Sequence, residues 1–167
     1  FDNNDRPGIM LSSAIKKYAD HYGVICGKKN VFFTNNDTAY ESAISLIKKG
    51  IKVEAIIDIR EKSDSSVVKE AENLGLKIFW SHTVVDTHGY KRLNQISLME
   101  LSKDGQSTIG SKIKINCDCL GIAGGWTPAV HLFTQSGGKL KFRDEDQVFI
   151  PDKYPSKQIS IGSCNGD

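Results

Sequence analysis

Long apolar runs are missing from this sequence of 167 residues. The most apolar stretches, such as 53–59, are broken by charges, here Glu54 and Asp58, and fall far short of the roughly 20 residues that cross a bilayer. No transmembrane helix and no membrane partner are expected. An excess of one charge is missing too. The 22 basic and 20 acidic residues leave a net +2, and basic runs stop at pairs such as Lys28-Lys29 and Lys48-Lys49, which excludes a nucleic-acid surface as the expected function. Cysteine is scarce: Cys26, Cys117, Cys119 and Cys164 contain no CxxC and are too scattered for a disulfide scaffold. Cys117-Asp118-Cys119 reads as two small buried hydrophobes on one face of a strand, and a reducing, cytoplasmic setting is expected. No metal site is expected. His21, His82, His88 and His131 lack ligand spacing and a visible Ser or Cys partner, so no catalytic residue is assigned. The first residues, FDNNDRPGIM, lack an initiator Met and a basic-then-apolar leader, which reads as a cut inside a longer protein.

What remains is the pattern of an α/β unit. Apolar residues at Met10, Leu11, Ala14, Ile15, Tyr18, Ala19 and Tyr22 have helical spacing, with Gly23 as the C-terminal stop. Val31-Phe32-Phe33 suits a strand covered on both faces, and Asp37 or Thr38 then caps a helix whose inner face is Ala39, Tyr40, Ala43, Ile44 and Ile47. A strand over 51–60, a helix over 66–75 and a third strand in KIFWSHTVV complete a parallel βαβαβ series. The turn-rich pieces DTHG and KDGQST then predict an antiparallel meander. After it come a buried strand in CDCLGIAGG, a helix starting at Pro128, a hairpin from GGKLKF and QVFI, and a last strand in QISIGSCNG.

The βαβ unit is the leading functional candidate. The dinucleotide fingerprint G-x-G-x-x-G/A places glycine where a pyrophosphate nears the backbone and an acidic residue at the next strand end for the ribose. Its glycine places fall here on Thr34, Asn36 and Ala39, and its acidic place on Asp58. The Asn36 side chain takes up phosphate space, and an Asp37 carboxylate on the helix amino end would fill the anion site itself. A Rossmann-like unit that no longer binds nucleotide at this turn is one reading. The other is an NAD-binding reductase unit, in which Asp58→Ala would weaken NAD binding by about 1 kcal/mol or more. The stretch GIAGGWTP, 121–128, either lets a ligand approach Gly124-Gly125 beside Trp126 or is a tight turn with Trp126 in a core.

The stretches RPGIMLSSAIKKYADHYGV, VFFTNNDTAY and DCLGIAGGWTPAVHLFTQSGGKL together resemble the middle of the α subunits of heterotetrameric sarcosine oxidases and of related amino-acid and opine oxidases. The resemblance covers nearly the whole chain. It implies a two-dinucleotide-domain flavoprotein fold in which a Rossmann-like NAD-type domain with an antiparallel meander is inserted in a partial FAD-type domain. Residues 1–23 would be an FAD-type segment, 24–117 the inserted NAD-type domain, and 118–167 the return of the FAD-type domain. ISIGSCNG resembles the strand and glycine turn that closes on the flavin, with Ser163 in place of the usual acidic residue.

The implied activity is oxidative demethylation of sarcosine, with tetrahydrofolate and oxygen, to glycine, methylenetetrahydrofolate and hydrogen peroxide. The amine is oxidised at a flavin in the β subunit, so the chain alone is expected to be inactive. Implied cofactors are NAD or FAD, contacted by Thr34, Asn36, Asp58, Gly124, Gly125, Trp126, Gly162 and Asn165. Implied partners are the β, γ and δ subunits. A scaffold or interface role is the third reading, with a partner-facing patch on the meander near Trp80, Tyr90 and Met99.

Overall fold

The computed structural model describes residues 1–155 and 157–166. Ser156 and Asp167, both inside the expected 118–167 segment, lie outside the described residues. Two compact units are present, Phe1–Gly125 and Trp126–Asp167.

Unit 1 is built on a five-stranded parallel sheet of β1 (Ile9–Leu11), β2 (Asn30–Thr34), β3 (Val53–Asp58), β4 (Ile78–Phe79) and, arriving last and inserting between β1 and β2, β8 (Cys119–Ala123), in the order β1-β8-β2-β3-β4. Because side chains alternate along a strand, each strand feeds two cores. Phe32, Ile56 and Cys119 join Ile15, Tyr40, Ala43, Leu46 and Val68 from helices α1 (Ser12–Tyr22), α2 (Thr38–Lys48) and α3 (Ser66–Asn73). Val31, Ile57 and Leu120 join Val84, Ile96 and Leu98 from the antiparallel meander β5 (His82–His88), β6 (Gln95–Leu101) and β7 (Thr108–Asn116). Burial on both sides is why β2 and β8 are apolar without alternation. Gly121, mid-β8, is required by crowding: a Cβ there would stand 2.6 Å from the Phe32 ring and 2.9 Å from Ile15.

Three expectations change. Met10 and Leu11 are strand, because pairing of Ile9–Leu11 with 120–122 outweighs the helical spacing, while Gly23 ends α1 at φ 63° as read. KIFWSHTVV is two strands: Ser81, at φ 52°, turns the chain out of the parallel sheet, donating to Arg60 C=O and accepting from Leu101 N–H. Cys117 and Cys119 do not share a face. Cys117 lies in the meander-side core and Cys119 in the helix-side core, since β8 begins only at Cys119.

Unit 2 contains the short helix α4 (His131–Gln135) and the hairpin β9 (Lys139–Arg143)–β10 (Val148–Lys153), as its turn signals predict, although α4 starts three residues after Pro128. Its core is small: the Phe133 ring meets Tyr154 edge-on at 4.9 Å and fills the space that a side chain at Gly138 would need. The expected strand in QISIGSCNG is absent among the described residues. Ile161 is extended but unpaired, Ile159 and Ile161 are 84% and 78% exposed, and a 3₁₀ turn follows at Gly162–Cys164. An extended segment without a ladder partner is not a strand.

Burial pushes the Cys117 and Cys119 thiols from 9.0 up to about 12. The folded state holds these protons more tightly than the unfolded state, so their stabilisation is complete below pH 9 and is lost as pH rises towards 12. Chemical denaturation of the wild type and of C117A/C119A is therefore expected to show a stability gap that narrows across that interval. A gap independent of pH would contradict it.

Candidate functional site

In open α/β sheets, ligands sit beyond the carboxyl ends of the strands. Here those ends belong to β2, β8 and β3, where Phe33, Thr34, Asn35, Ile59, Ile122, Ala123 and Gly124 line a small apolar cavity of about 90 Å³. The polar turn that replaces the glycines is tied down by its own side chains. The Thr34 hydroxyl accepts from Asn36 N–H at 3.0 Å and lies within hydrogen-bonding distance of the Asn36 and Ala123 carbonyls. Asn36 Nδ2 donates to Ala123 C=O at 3.2 Å, and Asn35 Nδ2 to Gly124 C=O at 3.1 Å. These side chains bond the carbonyls at and just beyond the end of β8, where Ala123 C=O also accepts from Asn35 N–H at 3.3 Å. Gly125, at φ 110°, has only the Asn35 carboxamide near the place a Cβ would take.

The cap of α2 overturns one expectation. Asp37 is the N-cap residue, but its side chain makes no capping bond; Asn36 Oδ1 accepts from Thr38 N–H at 3.0 Å instead. The Asp37 carboxylate turns aside to Arg60 Nη2 at 2.8 Å. Among the described residues, the N–H groups of Asp37 and Ala39 find no acceptor. The anion site at this helix end is therefore not filled by Asp37.

Asp58 also differs from its expected role. It closes β3 as read, but it is fully buried and its carboxylate is saturated. Tyr40 Oη donates to Oδ2 at 2.8 Å; Arg60 donates from its backbone N–H to Oδ1 at 3.0 Å, from Nε at 3.1 Å, and from Nη2 to Oδ2 at 2.8 Å. Four bonds exhaust the acceptor sites of a carboxylate. Burial, then the bond to Asp58, push the Tyr40 hydroxyl far above its ordinary range, and Asp58 followed by Asp37 hold Arg60 more firmly protonated than usual. Tyr40 stacks on Trp80 at 6.2 Å, extending the network to the start of the meander. Arg60 and Tyr40 were not singled out in the sequence. The signal for Arg60 was the Asp-x-Arg spacing at the strand end, which lets one arginine fork back onto the strand's last carboxylate.

The other candidate residues lie in unit 2. Trp126 is 72% exposed, which removes the reading of it as core, and with Thr127, Pro128, Asp146, Val148, Ser163 and Gly166 it lines a cavity of about 430 Å³. Gly162, at φ 58°, has open space at its Cβ position, and Asn165 Oδ1 lies 3.5 Å from the Tyr154 hydroxyl. On the meander, Tyr90 is 94% exposed, whereas Trp80 and Met99 are half-buried.

Tyr40→Phe removes one of four donors to a fully buried carboxylate. We expect it to cost about 1.5–3 kcal/mol, the scale of hydrogen bonds to charged groups, in a denaturant titration. A cost below about 0.5 kcal/mol would mean that Arg60 alone satisfies Asp58.

No family model matches the chain. Solved structures with the same fold include T. acidophilum thioredoxin reductase (18% identical, TM-score 0.61, 95% of this chain and 53% of that one). A FAD-dependent pyridine nucleotide-disulphide oxidoreductase from Desulfovibrio vulgaris is 15% identical, with a TM-score of 0.58 over 87% of this chain and 40% of its own. At these identities the likeness concerns the fold alone, an α/β architecture with a parallel sheet and an antiparallel sheet. Sequence relatives are closer. Sarcosine oxidase subunit alpha from Corynebacterium sp. (strain P-1) is 36% identical over 168 residues, which are 99% of this chain and 17% of the relative. That of Rhizobium meliloti (strain 1021) is 33% identical over 171 residues, 98% of this chain and 15% of the relative. The chain thus spans about a sixth of the length of these relatives. Along nearly its whole length, the chain is similar in sequence to part of sarcosine oxidase α subunits.

Proposed function

We propose that the chain acts as the dinucleotide-type segment of a sarcosine oxidase α-type subunit, supporting an oxidative demethylation whose amine chemistry takes place elsewhere in an assembly with β, γ and δ subunits. The observation that carries this reading is the 36% identity along 99% of the chain to one sarcosine oxidase α subunit. In this reading residues 24–117 are the inserted NAD-type domain, and residues 1–23 and 118–167 belong to the FAD-type domain.

The residues of unit 1 fit a dinucleotide in part. The unpartnered Asp37 and Ala39 N–H groups at the amino end of α2 suit a phosphate, as does the open backbone at Gly125. Thr34 and Asn36 shape the turn rather than contact the ligand, and Asp58, with all its acceptor sites taken, is unsuited to the ribose. NAD would be the redox-competent or structural ligand there; this chain contributes a shaped, partly apolar end of sheet. In unit 2, Trp126, Gly162 and Asn165 would line the flavin. A second reading, a scaffold that has given up nucleotide binding, draws on the saturation of Asp58.

Calorimetric titration of the chain separates the two. We expect NAD to bind weakly, with a Kd on the order of 10–100 µM, and sarcosine to yield no peroxide. Absence of any binding at about 1 mM NAD would favour the scaffold reading, and peroxide formation by the chain alone would overturn the supporting role.

A further inference from the structure

Along the sequence the basic residues come in separate pairs, among them Lys28-Lys29 and Lys91-Arg92. The fold of unit 1 gathers these two distant pairs onto one residue, Asp118, which leads into β8. The Asp118 carboxylate accepts from the backbone N–H groups of Lys28 at 3.1 Å and Lys29 at 2.7 Å, and the Asp118 C=O accepts from Arg92 Nη2 at 3.4 Å. Both carboxylate oxygens are thus turned to backbone. All four cationic side chains belong to exposed residues, and among the described residues none of them forms an ion pair. Beside them, in the loop between β5 and β6, Tyr90 is 94% exposed. That loop is fixed in shape: Asn94 N–H donates to His88 C=O at 2.9 Å, Leu93 N–H donates to Pro7 C=O at 2.8 Å, and Gly89, at φ 142°, leaves no room for a Cβ, which would strike Arg92 C=O. A fixed backbone presents charge and ring at little ordering cost.

We propose that Lys28, Lys29, Tyr90, Lys91 and Arg92 form a docking surface for an acidic polypeptide segment that carries an apolar side chain among its carboxylates, contributed by another member of the assembly. Charge gives the sign of the partner, because cations held together by the backbone repel one another until an anion meets them. Tyr90 gives its kind. An aromatic ring standing free on a fixed loop is of the residue type enriched at protein interfaces, where it covers apolar area and keeps one polar tip. A nucleic-acid backbone fits less well. Asp2 and Asp5, both exposed, stand on the amino-terminal turn that packs on the same hairpin, where the Thr87 hydroxyl lies 3.0 Å from Asn3 C=O and 3.3 Å from Asp2 C=O. A long polyanion crossing the surface meets those carboxylates, whereas a short acidic segment avoids them. The surface includes neither the sheet end nor Asp58, so the inference rests on the assembly part of the proposed function and not on its nucleotide part.

The test titrates two synthetic peptides of equal charge, EELLEE and EESSEE, and a short DNA duplex into the ¹⁵N-labelled full chain in about 0.1 M salt. EELLEE is expected to move the amide resonances of residues 28–29 and 90–92 saturably, with a Kd on the order of 1 mM, and to bind about threefold or more tightly than EESSEE. K28A/K29A and K91A/R92A should each weaken it about fivefold or more, and Y90A should remove the advantage over EESSEE while leaving EESSEE within about twofold. K69A/K103A, which takes the same charge from α3 and from the β6–β7 turn, should change either peptide by less than about twofold. An absence of saturable shifts up to about 10 mM peptide would overturn the proposal, as would shifts confined to other residues or an equal loss in K69A/K103A, which would mean that only net charge matters. So would an undiminished advantage of EELLEE in Y90A, or a DNA duplex that binds the same residues more tightly than EELLEE and so makes the surface a reader of phosphate. If K91A/R92A fails to fold for want of the bond to Asp118 C=O, K91E, which keeps that bond, replaces it and is held to the same loss. Failure of the chain to bind NAD would count against the nucleotide part of the proposed function and leaves every one of these outcomes in force.

Discussion

A carboxylate with no exposure to solvent must be paired or it destabilises the fold by several kcal/mol, and Asp58 is such a group. Its four hydrogen bonds come from two residues on different elements, Tyr40 in α2 and Arg60 just beyond β3. Those bonds fix the end of β3 against the first turn of α2. Through Arg60 they reach Asp37, and through the stacked Tyr40 ring they reach Trp80, where the chain leaves the parallel sheet. The candidate site therefore inherits its shape from a need to satisfy one buried charge.

Magnitudes explain why Asp37 gives up the cap. A side-chain N-cap contributes about 0.5–2 kcal/mol and can be made by any short oxygen-bearing side chain. A charge-assisted bond to a partly buried guanidinium contributes about 1.5–3 kcal/mol and requires an anion. Asn36 can make the first bond but not the second. With both residues adjacent, the arrangement that satisfies both partners is the one observed, in which the neutral residue caps and the acid meets Arg60.

The parts of the fold that were legible in the sequence are those set by burial. The apolar runs of β2 and β8, the helix faces around Ala39, Tyr40 and Ala43, and the turn-punctuated meander follow from which surfaces must leave water. The parts that were not legible depend on partners distant in sequence. Met10 and Leu11 fit a helix until the strand Cys119–Ala123 is known to lie beside them. The break at Ser81 depends on bonds to Arg60 and Leu101, and no local signal in KIFWSHTVV marks it.

The same division runs through the site. The positions of Thr34, Asn36 and Asp58 were found by spacing, because a strand–turn–helix fixes where its ends fall. Their chemical roles were not, because a role depends on which neighbour claims each donor and acceptor. Asp58 at a strand end has the same local sequence context whether it faces a ribose or an arginine. Only the fork from Arg60, two residues on, decides that its oxygens are internal, and that decision passes the site's remaining hydrogen-bonding capacity from the carboxylates to the backbone at the start of α2.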